Sequence, residues 1–106
     1  MVDNKYFLKF THLAEKDLDE IYSYISIKLF NDQAAVELMD RIENAIKQLK
    51  EFPFSSPIAS DKTLKKRGYR KLIVDNYIAF YQVDKTEMKV TIMRILYGAR
   101  KYQDLL

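Results

Sequence analysis

Between residues 14 and 49 the apolar side chains recur in steps of three and four. Between residues 69 and 97 they fall instead in short extended runs. That change of period restricts the fold to helices packed on a sheet, because a helical stripe and a strand face each need a partner layer. In the first half, Ala14, Leu18, Ile21, Ile25 and Leu29 share one helical face, and Tyr22 widens it. Glu15, Lys16, Asp19 and Glu20 form its polar side. Thr11 can cap this helix. Asn31 and Asp32 interrupt the pattern and can cap a second helix. Its stripe is Ala35, Leu38, Met39, Ile42, Ala45, Ile46 and Leu49, and Pro53 ends it. The short join predicts an antiparallel αα-hairpin.

Residues 5–10 (KYFLKF) read as a first strand, and residues 53–63 (PFSSPIASDKT) as the main loop. Residues 69–74, 77–83 and 88–97 read as three strands joined by tight turns, hence an antiparallel meander. The last of them, MKVTIMRILY, is apolar on both faces and should lie centrally, and Gly98 ends it. The order β-α-α-β-β-β predicts an α+β domain spanning residues 1–106, its helical hairpin packed on one face of an antiparallel sheet. Tyr77, Ala79, Tyr81 and Val83 should face the helices; Ile78, Phe80 and Gln82 then point the other way. That second face is expected to be open, which makes Phe80 and Ile78 candidate contacts for a partner.

The composition narrows the chemistry. A length of 106 residues suits one domain with a modest core. There is no cysteine, so no disulfide framework and no thiolate metal site. No apolar run approaches the roughly 18 residues of a membrane span. The N-terminal residues lack the layout of a secretory signal, so the default expectation is a cytoplasmic protein with no membrane partner. His12 is the one histidine and falls in the first turn of a helix. Two widely spaced glycines give no phosphate-binding loop. No metal and no cofactor is expected.

Charge is concentrated locally. Lys62, Lys65, Lys66, Arg67, Arg70 and Lys71 are six basic residues with no acid among residues 62–71, in a chain of net charge +3. The remainder therefore carries 3 − 6 = −3. A solvated loop and a polyanion-binding surface both fit such a stripe. Lys65, Lys66 and Arg67 fall in the loop, where they would steer a partner. Alternation sends Arg70 and Lys71, on the strand, to opposite faces. With Arg94, Arg100 and Lys101 they lie among Tyr69, Tyr77, Tyr81, Tyr97 and Tyr102. Such a set neutralises phosphates and can stack on bases, although sheet tyrosines commonly serve in packing. It also permits RNA cleavage without histidine: cations stabilise the phosphorane, and Lys or Tyr transfers protons.

Three segments carry a family resemblance. LAEKDLDEIYSYI followed by AAVELMDRIENAIKQLKEFP, then YRKLIVDNYIAFYQVD, then VTIMRILYGARK, resemble in order the RelE/ParE superfamily of bacterial type II toxins. The resemblance implies the toxic half of a toxin–antitoxin pair, held inactive by a cognate antitoxin. RelE-like members cleave mRNA in the ribosome, whereas ParE-like members poison DNA gyrase and are not nucleases. Arg70 and Arg100 match basic positions of the nucleases, and Tyr102 lies near a C-terminal tyrosine of another nuclease branch. Ile78 and Leu72 stand where those enzymes carry cations. Loss of one such cation should cost about 3–4 kcal/mol of transition-state stabilisation, by analogy with oxyanion donors. The expectation leans to a ParE-like gyrase inhibitor. A ribosome-dependent endoribonuclease is the alternative, and a non-toxic binding module of the same fold a third. The antitoxin is expected on the open sheet face and along the hairpin groove.

Overall fold

The computed structural model describes residues 5–99 and 105–106. The chain runs β1 (Phe7–Phe10), α1 (His12–Ser23), a π-helical turn (Tyr24–Lys28), α2 (Asp32–Lys47), a 3₁₀ turn (Gln48–Lys50), α3 (Lys62–Lys66), β2 (Arg70–Val74), β3 (Tyr77–Asp84) and β4 (Lys89–Tyr97). The helix starts follow their capping residues. The Thr11 hydroxyl accepts from the Ala14 N–H at 3.0 Å, and Asn31 Oδ1 accepts from the Ala34 N–H at 3.0 Å.

The sheet order is β1-β4-β3-β2. The meander of β2, β3 and β4 is antiparallel, as its short turns require. β1 joins β4 in parallel, so the sheet is mixed rather than purely antiparallel. The two intervening helices make this possible, because a parallel neighbour needs a crossover and the hairpin is one. β4 is the central strand that its two apolar faces predict. Phe80 pairs with Arg94 but Tyr81 pairs with Ile92, leaving Met93 as the extra residue of a bulge. The bulge lets both Ile92 and Ile95 reach the helix side.

On that side, Ala14, Ile21, Leu38, Ile42, Ile46 and Leu49 pack against Ala79, Tyr81, Val90, Ile92 and Ile95. The helical stripes therefore face the sheet as their period dictates. Leu29 departs from its stripe. The π turn inserts one extra residue per turn, shown by the Leu29 N–H donating to the Tyr24 carbonyl at 3.2 Å, and it rotates the end of the stripe out of the core. Leu29 is exposed, and Phe30, with φ of 51°, is 92 % exposed.

The second sheet face is not open over β3 and β4, although Ile73 at its β2 edge is exposed. Ile78, Phe80 and Leu96 are covered by Ala59, Leu64 and Tyr69, with Met93, Leu105 and Leu106 packed around them. The segment after Pro53 folds back along the sheet: the Lys71 N–H donates to the Pro57 carbonyl and the Ala59 N–H to the Tyr69 carbonyl. It contains the short helix α3, where sequence periodicity suggests only loop. Asp61 caps α3 through the Thr63 and Leu64 N–H groups. Leu64 anchors it at 1 % exposure. Gly68, with φ of 76°, turns the chain out of α3 into β2, a conformation that glycine adopts without strain. Among the described residues, no helix is long and apolar enough to cross a membrane.

Candidate functional site

The basic stretch is divided by the fold rather than gathered by it. Lys65 and Lys66 lie exposed on α3, and Lys71 is half-buried on β2. Arg67 turns to the end of the chain: its Nη1 donates to the Leu106 carbonyl at 2.8 Å, and its guanidinium lies 5.0 Å from the Tyr69 ring centroid. Arg70 has the parity of Leu72 and Val74, which pack on the helix side. Its Nη1 donates to the Ser56 carbonyl at 2.7 Å, and its guanidinium stacks 4.9 Å above the Phe54 ring. Lys85 lies 5.2 Å from the same ring, and Tyr6 meets it edge-on. Arg70 thus pins the loop after α2 to the sheet.

Arg94 is held more firmly still. Its Nε and Nη2 donate to the two carboxylate oxygens of Asp17 at 2.7 and 2.8 Å. Its Nη1 donates to the Leu105 carbonyl at 3.1 Å. The hydrogen bond to Asp17 raises the Arg94 pKa above its ordinary value, so the guanidinium stays charged. Asp17 also accepts from the Ile95 N–H at 3.0 Å. β1 pairs with β4 only as far as Ile92, so without Asp17 that buried N–H of the central strand would lose its acceptor. Sequence reasoning passed over Asp17, yet a signal was present. Asp17 falls three residues after Ala14 and four before Ile21, on the apolar side of α1.

Phe80 and Ile78 do not form an exposed partner surface. Phe80 is 0 % and Ile78 7 % exposed, because residues 57–69 and the last two leucines cover them. Exposed apolar side chains include Ile73, the cross-strand neighbour of Ile78 on the edge strand, Phe7 and Phe52, and a group of Ile27, Leu29 and Phe30 at the tip of the helical hairpin. Arg67, Lys85 and Lys89 border a hollow of about 630 Å³ together with Gln82, Asp84 and Thr91. Arg100, Lys101 and Tyr102, singled out from the sequence, lie outside the described residues. Among the described residues, no group of three or more His, Asp or Glu could hold a metal ion.

A two-layer domain with a helical hairpin inserted between the first strand and a three-stranded meander is the architecture of the RelE/ParE toxin superfamily. Solved structures share it. A chain of the chromosomal ParDE toxin–antitoxin system from P. aeruginosa superposes with a TM-score of 0.71 at 22 % identity, covering 89 % of this chain and 97 % of that one. The RelBE2 toxin–antitoxin complex from Mycobacterium tuberculosis gives 0.61 at 20 % identity over 88 % and 98 % of the two chains. The isolated E. coli RelE toxin gives 0.55 at 18 % identity over 94 % of each. No curated protein matches in sequence. Residues 8–102 match the family model of the ParE toxin of the type II toxin–antitoxin system parDE, and the chain belongs to that family.

Proposed function

We propose that this chain arrests growth by inhibiting DNA gyrase, without cutting RNA, and that a cognate antitoxin neutralises it. One observation carries this reading. Arg67, Arg70 and Arg94 are each held by a protein acceptor: Arg67 and Arg94 spend donors on the consecutive carbonyls of Leu106 and Leu105, and Arg70 lies apart on the helix side of the sheet. A phosphorane-stabilising site needs cations converging on one point with their donors unspent. The second sheet face presents Ile78, Phe80 and Leu96 beneath a cover, and the last two carbonyls of that cover take hydrogen bonds from Arg94 and Arg67. Membership of the ParE family and the likeness to a ParDE toxin–antitoxin structure support the same side of the superfamily. The exposed Ile27, Leu29 and Phe30 suit an apolar anchor of the antitoxin, since patches of this kind mark protein interfaces.

The hollow bordered by Arg67, Lys85 and Lys89 favours the second reading, a ribosome-dependent mRNA endoribonuclease, because three cations against the one carboxylate of Asp84 leave it positive enough to meet a phosphate chain. One experiment separates the two. The protein is induced in bacteria while mRNA 5′ ends are mapped and gyrase supercoiling is assayed in parallel. Inhibited supercoiling with intact mRNA is expected. Fresh in-frame cuts within minutes would establish the nuclease instead. Unimpaired growth on strong expression without an antitoxin would reduce the chain to a binding module.

A further inference from the structure

Where the C-terminal half of α1 meets the ends of β3 and β4, a hollow of about 620 Å³ opens to solvent. Three tyrosines from three elements line it: Tyr24 from the π turn, Tyr77 from the start of β3 and Tyr97 from the end of β4. The Tyr77 and Tyr97 rings meet edge to face, with centroids 5.8 Å apart and planes at 71°. Tyr24 is 54 % and Tyr97 46 % exposed, so ring surface remains accessible on both. Asp17 and Glu20 are the charged residues of the lining, and among the described residues no lysine or arginine borders it. Arg94 pairs with Asp17 through two hydrogen bonds and also lies within electrostatic reach of Glu20, so two carboxylates against one guanidinium leave the rim with a net negative charge. Burial, aided by the neighbouring Tyr24 and Tyr97, raises the Tyr77 pKa, so its ring stays a neutral phenol.

Packing accounts for Tyr77, which touches the helix-side core. It does not account for half-exposed Tyr24 and Tyr97 set around an acidic opening in a protein of net positive charge. Several aromatic faces beside a carboxylate, with no cation among the described lining residues, attract a cationic side chain. Tyr24 and Glu20 also border an adjoining hollow on the outer side of α1, where Ile27 and Ser23 supply its uncharged wall and Lys16, Asp19 and Lys28 complete the lining. A ligand in the tyrosine pocket would therefore find an apolar seat next to it. The geometry points to a binding site for an arginine or lysine side chain of a partner polypeptide, flanked by an apolar residue. The occupant is a peptide segment rather than a free cation, because the second hollow offers area only to a side chain attached beside the first. This site is independent of whether the protein acts on gyrase or on mRNA.

The test uses the whole chain with its tyrosine rings ¹³C-labelled, titrated in an NMR experiment. The probes are acetylated, amidated peptides Ala-Leu-X-Leu-Ala in which X is arginine, lysine, norleucine or glutamate. The arginine and lysine peptides should shift the Tyr24, Tyr77 and Tyr97 ring signals saturably. They should bind at least about five-fold more tightly than the norleucine peptide, the scale of one exposed cation–π contact with its carboxylate. Glu20→Gln and Tyr97→Leu, both at exposed positions, should each abolish that preference while leaving the melting temperature near wild type. Equal binding of all four peptides, or no saturable shift at these rings, would overturn the assignment. So would binding that appears only in Arg100→Ala, since the chain's own arginine would then be the occupant. Spermidine binding as tightly as the arginine peptide would also overturn it, by removing the need for a polypeptide.

Discussion

Asp17 and Arg94 lie 77 residues apart and form a two-pronged ion pair whose side chains are 7 % and 15 % exposed. The carboxylate also caps the Ile95 N–H, so one side chain joins α1 to the central strand in place of a missing strand neighbour. Removing one partner of a buried pair leaves the other charge unpaired, which costs about 3–5 kcal/mol. We expect Asp17→Ala to lower stability by that amount in urea unfolding. Asp19→Ala, on the solvent side of the same helix, should stay within about 0.5 kcal/mol of wild type. Equal effects would mean that the pair contributes nothing beyond an exposed contact.

Arg70 holds the loop after α2 against the sheet. It offers a charged hydrogen bond to the Ser56 carbonyl and a stacking contact with Phe54. Arg70→Ala should therefore destabilise by about 2 kcal/mol. It should still arrest growth when expressed at a temperature where it stays folded. Arrest abolished with an unchanged melting temperature would return Arg70 to a direct functional role.

Phe80 fills the second core at 0 % exposure. Phe80→Ala should cost about 3–5 kcal/mol, the range for a large core truncation. Phe80→Asp should prevent folding altogether instead of selectively weakening a complex. Phe30→Ala, at a position 92 % exposed, should leave stability within about 0.5 kcal/mol while weakening antitoxin binding. Calorimetry on the variants, with and without antitoxin, reads both effects.

Alkaline pH tests the tyrosine cluster. Burial raises the folded-state pKa of Tyr77 above the ordinary 10.0. Below the unfolded pKa the phenol is protonated in both states, and its contribution is fully present. As pH rises from there through the folded pKa, the unfolded chain releases its proton first, and that contribution is lost. The melting temperature should thus fall more steeply above about pH 10 in wild type than in Tyr77→Phe. Parallel curves for the two proteins would show that Tyr77 ionises equally in both states.

The sequence by itself determined the two long helices, the strands and the layer they form on the helix side of the sheet. Helix faces such as Ala35–Leu38–Ile42–Ile46 and the caps Thr11 and Asn31 are local features, written in residue spacing, and the helix-side core followed from them. Much of the candidate site was not local. Alternation correctly sent Phe80 and Tyr81 to opposite faces, but no period within β3 could reveal that Leu64 and the last two leucines would cover Phe80. The six cations of residues 62–71 looked like one surface along the chain. Three-dimensional packing separated them, because Arg67 and Arg70 found carbonyl acceptors 39 and 14 residues away. Tertiary structure alone likewise placed Tyr24 beside Tyr77 and Tyr97. Spacing along a chain fixes which way a side chain points from its own element. What it meets there depends on contacts between segments far apart, and those are decided only when the layers close.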